Sequence, residues 1–293
     1  NLRLFNSIII KMKLTKFDDA AQYYQRVENY LLQHEAANCL ILGMSKGLVG
    51  GEANTANQPY MVVVEHNQSI IATAIQTPPR NLILAKPSNS EAIELIAQEL
   101  ASNPQSLPGV IAPKAEAEIF INIWHNLTTQ SHQLDVAMRV HQLSQMQLIA
   151  HATGKIRLAV ESDRHLLTDW IQAFVIEALG DNEPKSDSQL WFDRNLKKQS
   201  LYVWQDRETV SMATYGGTTP NGIRVNGVYT PPEHRGKGYA TSCVAGMSQK
   251  LLKQYKHCFL FTNLANSTSN YIYRKIGYLP MDDISNYSFT DFK

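Results

Sequence analysis

One succession of hydrophobic patterns occurs twice in this chain, and that recurrence limits the possible folds more than any other feature. In the first half, apolar residues fill 60–65 and 69–75 on either side of His66-Asn67-Gln68. A break at Thr77-Pro78-Pro79 leads to a short strand-like run at 81–85. A helix-spaced stretch at 90–101, an apolar run at 109–112, a second helical stretch at 114–126 and an alternating run at 134–143 complete the half. The second half repeats the order. Runs at 201–205 and 210–215 flank Asp206-Arg207-Glu208, and Thr218-Thr219-Pro220 precedes a strand at 223–230. Then come a helix at 238–255, a strand at 258–262, a helix at 267–276 and strand material over 278–289. Spacing of three to four residues marks the helices, and short apolar or alternating runs mark the strands. Helices are also expected at 18–36, 163–179 and 184–198, with Asp163 as N-cap and Gly180 as C′ residue of the middle one. Residues 43–58, rich in glycine and small polar residues, are expected to form a loop. The pattern predicts an α/β protein of the α+β type in two parts, 12–150 and 151–293, meeting near His151 to Gly154, with a strand over 156–160 opening the second. Recurrence at this scale fits internal duplication and also two separate α/β domains.

Composition narrows the function classes. A chain of 293 residues with 44% hydrophobic and 18% charged residues has material for two ordinary cores. Lys+Arg is 27 against 26 Asp+Glu, a net charge of +1. That balance predicts no nucleic-acid partner, because such a partner calls for a basic excess. Cys39, Cys243 and Cys258 cannot all pair, and they do not cluster as a zinc site would require. A reducing, cytoplasmic setting is expected. No apolar run is long enough to span a membrane, so no membrane partner is expected. The nine His never adopt His-x-x-x-His spacing with a Glu between, so no bound metal is expected either. Residues 1–11 are set apart from the fold, because Met12-Lys13-Leu14-Thr15 reads as a chain start.

The chemistry is concentrated in the stretch from Val225 to Ala240, Val-Asn-Gly-Val-Tyr-Thr-Pro-Pro-Glu-His-Arg-Gly-Lys-Gly-Tyr-Ala. A strand ends, prolines turn the chain, two glycines relax the backbone, and a helix begins. Glycine allows positive φ and close approach of a ligand to the main chain. Free N–H groups at a helix start, with the positive end of the helix dipole, form an anion site. Arg235 and Lys237 add charge beside it, so the turn suits a pyrophosphate. A Walker loop is excluded, because the turn lacks Gly-Lys-Ser/Thr after a longer glycine-rich loop. A dinucleotide fingerprint is excluded too, because Thr241 stands where the third Gly or Ala belongs. A glycine pair at a strand–helix turn can also be purely structural.

The segment Arg235-Gly236-Lys237-Gly238-Tyr239-Ala240 resembles the Arg/Gln-x-x-Gly-x-Gly/Ala signature of the GNAT superfamily of N-acetyltransferases. A second block, from Asn263 to Tyr278 and ending in Tyr273-Arg274-Lys275-Ile276-Gly277-Tyr278, is similar to that family's strand–loop–helix. The resemblance is clear over about 155–290. It implies a GNAT fold, a twisted and mostly antiparallel sheet flanked by helices, expected in each of two tandem halves. It implies acetyl-CoA as co-substrate and an amine as acceptor; a small molecule is favoured over a protein amine because the extra half could enclose a pocket. Val228, Tyr229 and Thr230 match the strand end that pairs with the pantetheine arm. Arg235, Gly236, Lys237, Gly238, Tyr239 and Ala240 match the pyrophosphate turn, and Asn266, with Asn263 as a weaker candidate, matches the pantetheine contact. Tyr273 matches the general acid that protonates the departing thiolate. The first half resembles a degenerate relative: Leu84-Ala85-Lys86-Pro87-Ser88-Asn89-Ser90 has no glycine where the turn should lie, so no CoA site is expected there.

The general base is not given by either motif. Glu177, on a helix expected to line the acceptor side, is the candidate, set against the plainer reading of a solvated helix glutamate. Tyr271 lies on another helical face and reads as structural. Cys243 and Cys258 read as small apolar core residues. A non-catalytic acyl-CoA sensor, or a transferase with another acyl donor, shares these motifs. Gly43-Met44-Ser45-Lys46-Gly47 has the Gly-x-Ser-x-Gly spacing of a hydrolase elbow, but no helix is expected to follow it, as that elbow requires.

Overall fold

The computed structural model describes residues 12–51, 58–102, 107–179 and 188–290. In chain order the elements of the first half are β1 (Lys13–Lys16), α1 (Ala20–Leu31), α2 (Cys39–Val49), β2 (Tyr60–His66), β3 (Ser69–Gln76), β4 (Leu82–Leu84), α3 (Ser90–Ala101), β5 (Gly109–Pro113), α4 (Lys114–Thr128) and β6 (Ser131–Leu143). Those of the second half are β7 (Lys155–Leu158), α5 (Arg164–Leu179), α6 (Ser188–Lys197), β8 (Leu201–Asp206), β9 (Glu208–Gly216), β10 (Gly222–Tyr229), α7 (Tyr239–Leu251), β11 (His257–Asn263), α8 (Ser267–Ile276) and β12 (Leu279–Thr290). The two series are the same, element for element. The expected residues 184–187 of the α6 helix, Gly180 and residues 1–11 lie outside the described residues.

Contacts divide the chain into two units, residues 12–138 with 282–290, and Arg139–Met281. The chain therefore changes unit at 138/139 and again at 281/282, whereas the sequence pattern suggested a single junction near 150/151. Strand pairing accounts for the second crossing. Residues 284–288 of β12 pair antiparallel with β5 in the first unit, from Ile284 opposite Pro113 to Ser288 opposite Gly109. No local pattern records which neighbour a final strand selects.

The first unit runs β1-β2-β3-β4-β5, antiparallel except for the parallel β4/β5 pair. Helices α3 and α4 cover one face through Ile93, Ile96, Phe120 and Trp124. Helices α1 and α2 cover the other through Tyr23, Val27, Leu31, Ile41 and Leu42. The expected loop at 43–58 is corrected here, since residues 43–49 belong to α2. Each interior glycine costs a helix roughly 0.5–1 kcal/mol. Full burial of Ile41 and Leu42 contributes about 1.5–3 kcal/mol each and outweighs that cost. Ser45 is buried inside α2, and its Oγ donates to the Ile41 carbonyl at 2.7 Å, so it is no exposed nucleophile.

The second unit runs β7-β8-β9-β10-β11, with β10 and β11 parallel and the others antiparallel. Cys243, Val244, Met247 and Leu251 of α7 pack on Ile223, Val225, Cys258 and Leu260. On the opposite face, Leu167, Trp170 and Ile171 of α5 and Phe192 of α6 pack on Leu201, Val203, Met212 and Tyr229. Asp163 just precedes α5. Its carboxylate accepts Arg157 Nη1 at 2.6 Å, Arg157 Nη2 at 2.8 Å and the Val160 amide at 2.9 Å.

Candidate active site

Three features of the second unit combine at the end of β10. The first is a bulge. The β9/β10 register shifts between Asn226 and Tyr229, and Gly227 takes φ +56°. A Cβ there would stand 2.7 Å from Thr214 Oγ1 and 3.0 Å from the Trp191 ring, so the site is closed to any side chain. The extra residue reverses the alternation. Val228 consequently packs with the α7 cluster while Tyr229 packs against α5.

The second is a seam. β10 and β11 pair at only three positions, Gly222 with His257, Ile223 with Cys258 and Arg224 with Phe259. Both strands continue, to Tyr229 and Asn263, without further ladder contact. Among the described residues, 225–229 and 260–263 therefore present facing backbone edges with no ladder partner across the gap. Parallel strands inside a sheet normally satisfy these groups.

The third is the turn. Pro231 leads into a short 3₁₀ segment, Pro232–His234, and then to Gly236 and Gly238 at φ +78° and +79°. These glycines are needed for their backbone angles, not for lack of room. A Cβ on Gly236 meets nothing within 4 Å, and one on Gly238 meets only the Ala152 Cβ at 3.9 Å. Gly238 is the N-cap of α7 and supplies no side-chain acceptor. Among the described residues, no backbone amide from 236 to 241 donates to a protein group. Residues 235–238 are exposed, so this set of amides faces an open surface at the positive end of α7.

The corresponding turn of the first unit shows what a closed version looks like. There Asn89 caps α3, its Oδ1 accepting from the Glu91 amide at 2.9 Å and the Ala92 amide at 3.3 Å. The Ala85, Lys86 and Asn89 amides donate to Thr73 O, Asn38 Oδ1 and Ile71 O. The donors left open in the second unit are used internally in the first.

Flanking side chains take positions the sequence does not reveal. Arg235 Nη2 donates to both carboxylate oxygens of Glu177, at 2.8 and 2.9 Å, its Nε donates to Thr230 O at 2.9 Å, and its guanidinium lies over the Tyr229 ring. Lys237 Nζ donates to Glu233 O at 3.1 Å. Tyr239 donates its hydroxyl to Asp206 Oδ2 at 2.7 Å, and Thr153 donates to the same oxygen at 2.6 Å. Those bonds, Thr153 first, hold the Asp206 carboxyl below its usual range. Ala240 lies in the first turn of α7.

Tyr273 on α8 is only 8% exposed and sits edge-on to Tyr278, with ring centres 5.9 Å apart. Burial, with nearby Cys243 adding to it, raises its phenol well above the usual value. Tyr271 is exposed, on the other side of the helix. Asn266 is the N-cap of α8, its Oδ1 accepting from the Ser269 amide at 2.9 Å. Asn263 accepts from the Ala265 amide at 2.8 Å, and Asn270 donates to the Asn263, Leu264 and Asn266 carbonyls. Cys243 and Cys258 are buried, and burial pushes both thiols up to about 12. The bulge, the seam and the Glu177–Arg235 pair escaped sequence reasoning. A lone glycine within a strand pattern, Gly227, was the available signal for the first.

The FR47-like protein family matches residues 204–285. No curated protein sequence matches the chain. Among solved structures it is similar to a Drosophila protein, with 10% identity and a TM-score of 0.66 over 94% of this chain and 98% of the other. It is also similar to a GNAT-family acetyltransferase from Colwellia psychrerythraea, with 12% identity and a TM-score of 0.57 over 95% and 100%. A tandem GNAT protein from the clavulanic acid biosynthesis pathway gives 10% identity and a TM-score of 0.53 over 96% and 98%. The chain has the GNAT fold, in tandem form, as the resemblance of its two motifs implied. Among the described residues, no helix is long and apolar enough to cross a membrane.

Proposed function

We propose that the second unit is an acetyl-CoA-dependent N-acetyltransferase acting on a primary amine of a small molecule, with the first unit carrying no CoA site. The observation behind this reading is the open set of amides at 236–241, placed at the end of a strand whose inner edge is unpaired. A diphosphate needs clustered donors and positive potential, and an amide-bearing arm needs a free strand edge. Gly236, Lys237, Gly238, Tyr239 and Ala240 would hold the diphosphate, and Val228, Tyr229 and Thr230 the arm. Asn266, and more weakly Asn263, would contact the arm from the β11 side. Arg235 would bind phosphate by exchanging Glu177 for it.

The bound co-substrate supplies an activated acetyl group as a thioester. As the acceptor nitrogen bonds to the acetyl carbon, charge develops on the carbonyl oxygen, and amides of the bulge near Val228 and Tyr229 are the donors to stabilise it. The carbon–sulfur bond breaks with its electron pair going to sulfur, which takes the Tyr273 phenol proton. Burial keeps that phenol protonated at neutral pH, as a donor must be. The amine proton leaves to solvent or to Glu177. Because Glu177 has both oxygens engaged by Arg235, it serves as a base only after that pair opens. The raised thiols of Cys243 and Cys258 favour direct attack over an acyl-enzyme route.

The test is calorimetric titration with CoA together with thiol release from acetyl-CoA across a panel of amines. Micromolar CoA binding and amine-dependent release are expected. CoA binding without turnover on any amine would turn the reading to an acyl-CoA sensor.

A further inference from the structure

Asn270 lies in the first turns of α8, and its carboxamide reaches back over the loop that joins β11 to that helix. Side chains on a helix tilt toward its N-terminus, which brings this group onto the loop. Its Nδ2 donates to Asn266 O at 2.9 Å, Asn263 O at 3.2 Å and Leu264 O at 3.3 Å. Two N–H bonds are thus shared among three carbonyls. Its Oδ1 accepts from the hydroxyl of Thr262, a buried residue of β11, at 2.7 Å, and this ties the group to the sheet. The other acceptors of the loop are engaged as well. Ala265 O accepts from the Ser267 amide at 3.2 Å, Asn263 Oδ1 from the Ala265 amide at 2.8 Å and Asn266 Oδ1 from the Ser269 amide at 2.9 Å.

The result is a loop of one polarity. Every carbonyl from 263 to 266 and both carboxamide oxygens accept a bond from the loop or from α8. Backbone N–H groups hold those two oxygens, so neither carboxamide can flip without losing its bond. Asn263 and Asn266 are exposed and keep their side-chain NH2 groups for a ligand. The loop continues β11 directly from residues 260–263, one edge of the seam. An arm lying in that seam carries amide carbonyls, which need donors. Loss of the Asn270 side chain acts on the middle of this loop. Asn263 O and Asn266 O keep backbone donors, the Asn266 amide at 3.0 Å and the Asn270 amide at 3.1 Å. Among the described residues, Leu264 O has no donor other than Asn270. The diphosphate turn lies at the start of another helix, α7, and shares none of these bonds.

We infer that Asn270 is a positioning residue for the co-substrate: it fixes loop 263–266 so that Asn263 and Asn266 offer donors to the carbonyls of the pantetheine arm. This rests on the transferase reading above. The test is calorimetric titration of the wild type and Asn270→Ala with two probes, CoA and adenosine 3′-phosphate 5′-diphosphate, which is CoA without its arm. The wild type should bind CoA more tightly than the armless nucleotide. In Asn270→Ala the affinity for CoA should fall about 10- to 30-fold, while that for the nucleotide stays within about twofold. A residue that only supports the fold would move both affinities together, and that result overturns the inference. Unchanged CoA affinity in the variant, or a wild type that binds the two probes equally, overturns this inference alone. Absence of CoA binding by the wild type overturns the transferase reading and this inference with it. Should Asn270→Ala fail to fold, Asn270→Asp, which keeps the shape and loses the NH2 donors, replaces it under the same criteria.

Discussion

Arg235 and Glu177, one in the candidate diphosphate turn and the other on α5, meet through both carboxylate oxygens at 2.8 and 2.9 Å. Each side chain is about half exposed, at 48% and 49%, so the pair contributes about 0–1 kcal/mol to folding. Its significance is for binding. Glu177→Gln should leave the unfolding midpoint nearly unchanged, alter the KM for acetyl-CoA, and lower kcat less than about tenfold. Stopped assays at saturating acetyl-CoA read this. A kcat loss of about 10²-fold or more, the size associated with a proton-transfer group, would restore Glu177 as the base.

Tyr273 is the proposed proton donor and is held protonated by its burial. Tyr273→Phe removes the hydroxyl and keeps the ring that packs on Tyr278. The expected result is a fall in kcat of about 10²-fold with CoA affinity unchanged. Parallel kinetics and CoA titration measure both. A variant with full kcat would remove Tyr273 from the mechanism.

Gly238 has open space around it, so a large side chain there occupies the site rather than the core. Gly238→Trp should abolish CoA binding by calorimetry while circular dichroism shows a folded protein. Part of any stability loss, roughly 1–2 kcal/mol, reflects placing a non-glycine residue at φ +79°. Retained CoA affinity would mean the diphosphate binds elsewhere.

Gly227 presents the opposite case. Its missing Cβ would press on Thr214 Oγ1 and the Trp191 ring. Gly227→Ala combines positive-φ strain with overpacking and should destabilise the protein by about 2–4 kcal/mol in urea denaturation. An effect below about 0.5 kcal/mol would show that the bulge relaxes freely.

Asp163 has its carboxyl lowered. Burial opposes the lowering, but hydrogen bonds from Arg157 and the Val160 amide outweigh it. A folded-state value below the unfolded one, about 3.9, means this stabilisation is complete above that pH. It is lost as pH falls through the lower folded value. Asp163→Asn should therefore destabilise by about 2 kcal/mol at pH 7 and by much less near pH 3, read from denaturation at the two pH values. An equal cost at both pH values would show that the charge is not what matters.

Much of this protein could be read locally. Tyr60–His66 and Ser69–Gln76 form the hairpin that the apolar runs around His66-Asn67-Gln68 predict, and α7 starts one residue after the predicted position. Residues 43–49 misled because glycine is a local signal of irregular structure, while the helix there is held by burial against its own unit. Asn266 shows both sides of one residue: its capping bond was legible as a sequence preference, whereas its place beside the seam was not.

By itself the sequence determined most of the order of elements, α2 and β1 excepted, together with the glycine-hinged turn and the two blocks that resemble the acetyltransferases, because periodicity and backbone permissiveness are properties of neighbouring residues. Only the tertiary structure decided that β10 and β11 part after Arg224, that residues 284–288 pair with β5, and that Arg235 meets Glu177. These join residues tens to well over a hundred positions apart. Their energy depends on which surfaces remain to be buried or paired once each unit has packed, and no short window of sequence contains that information.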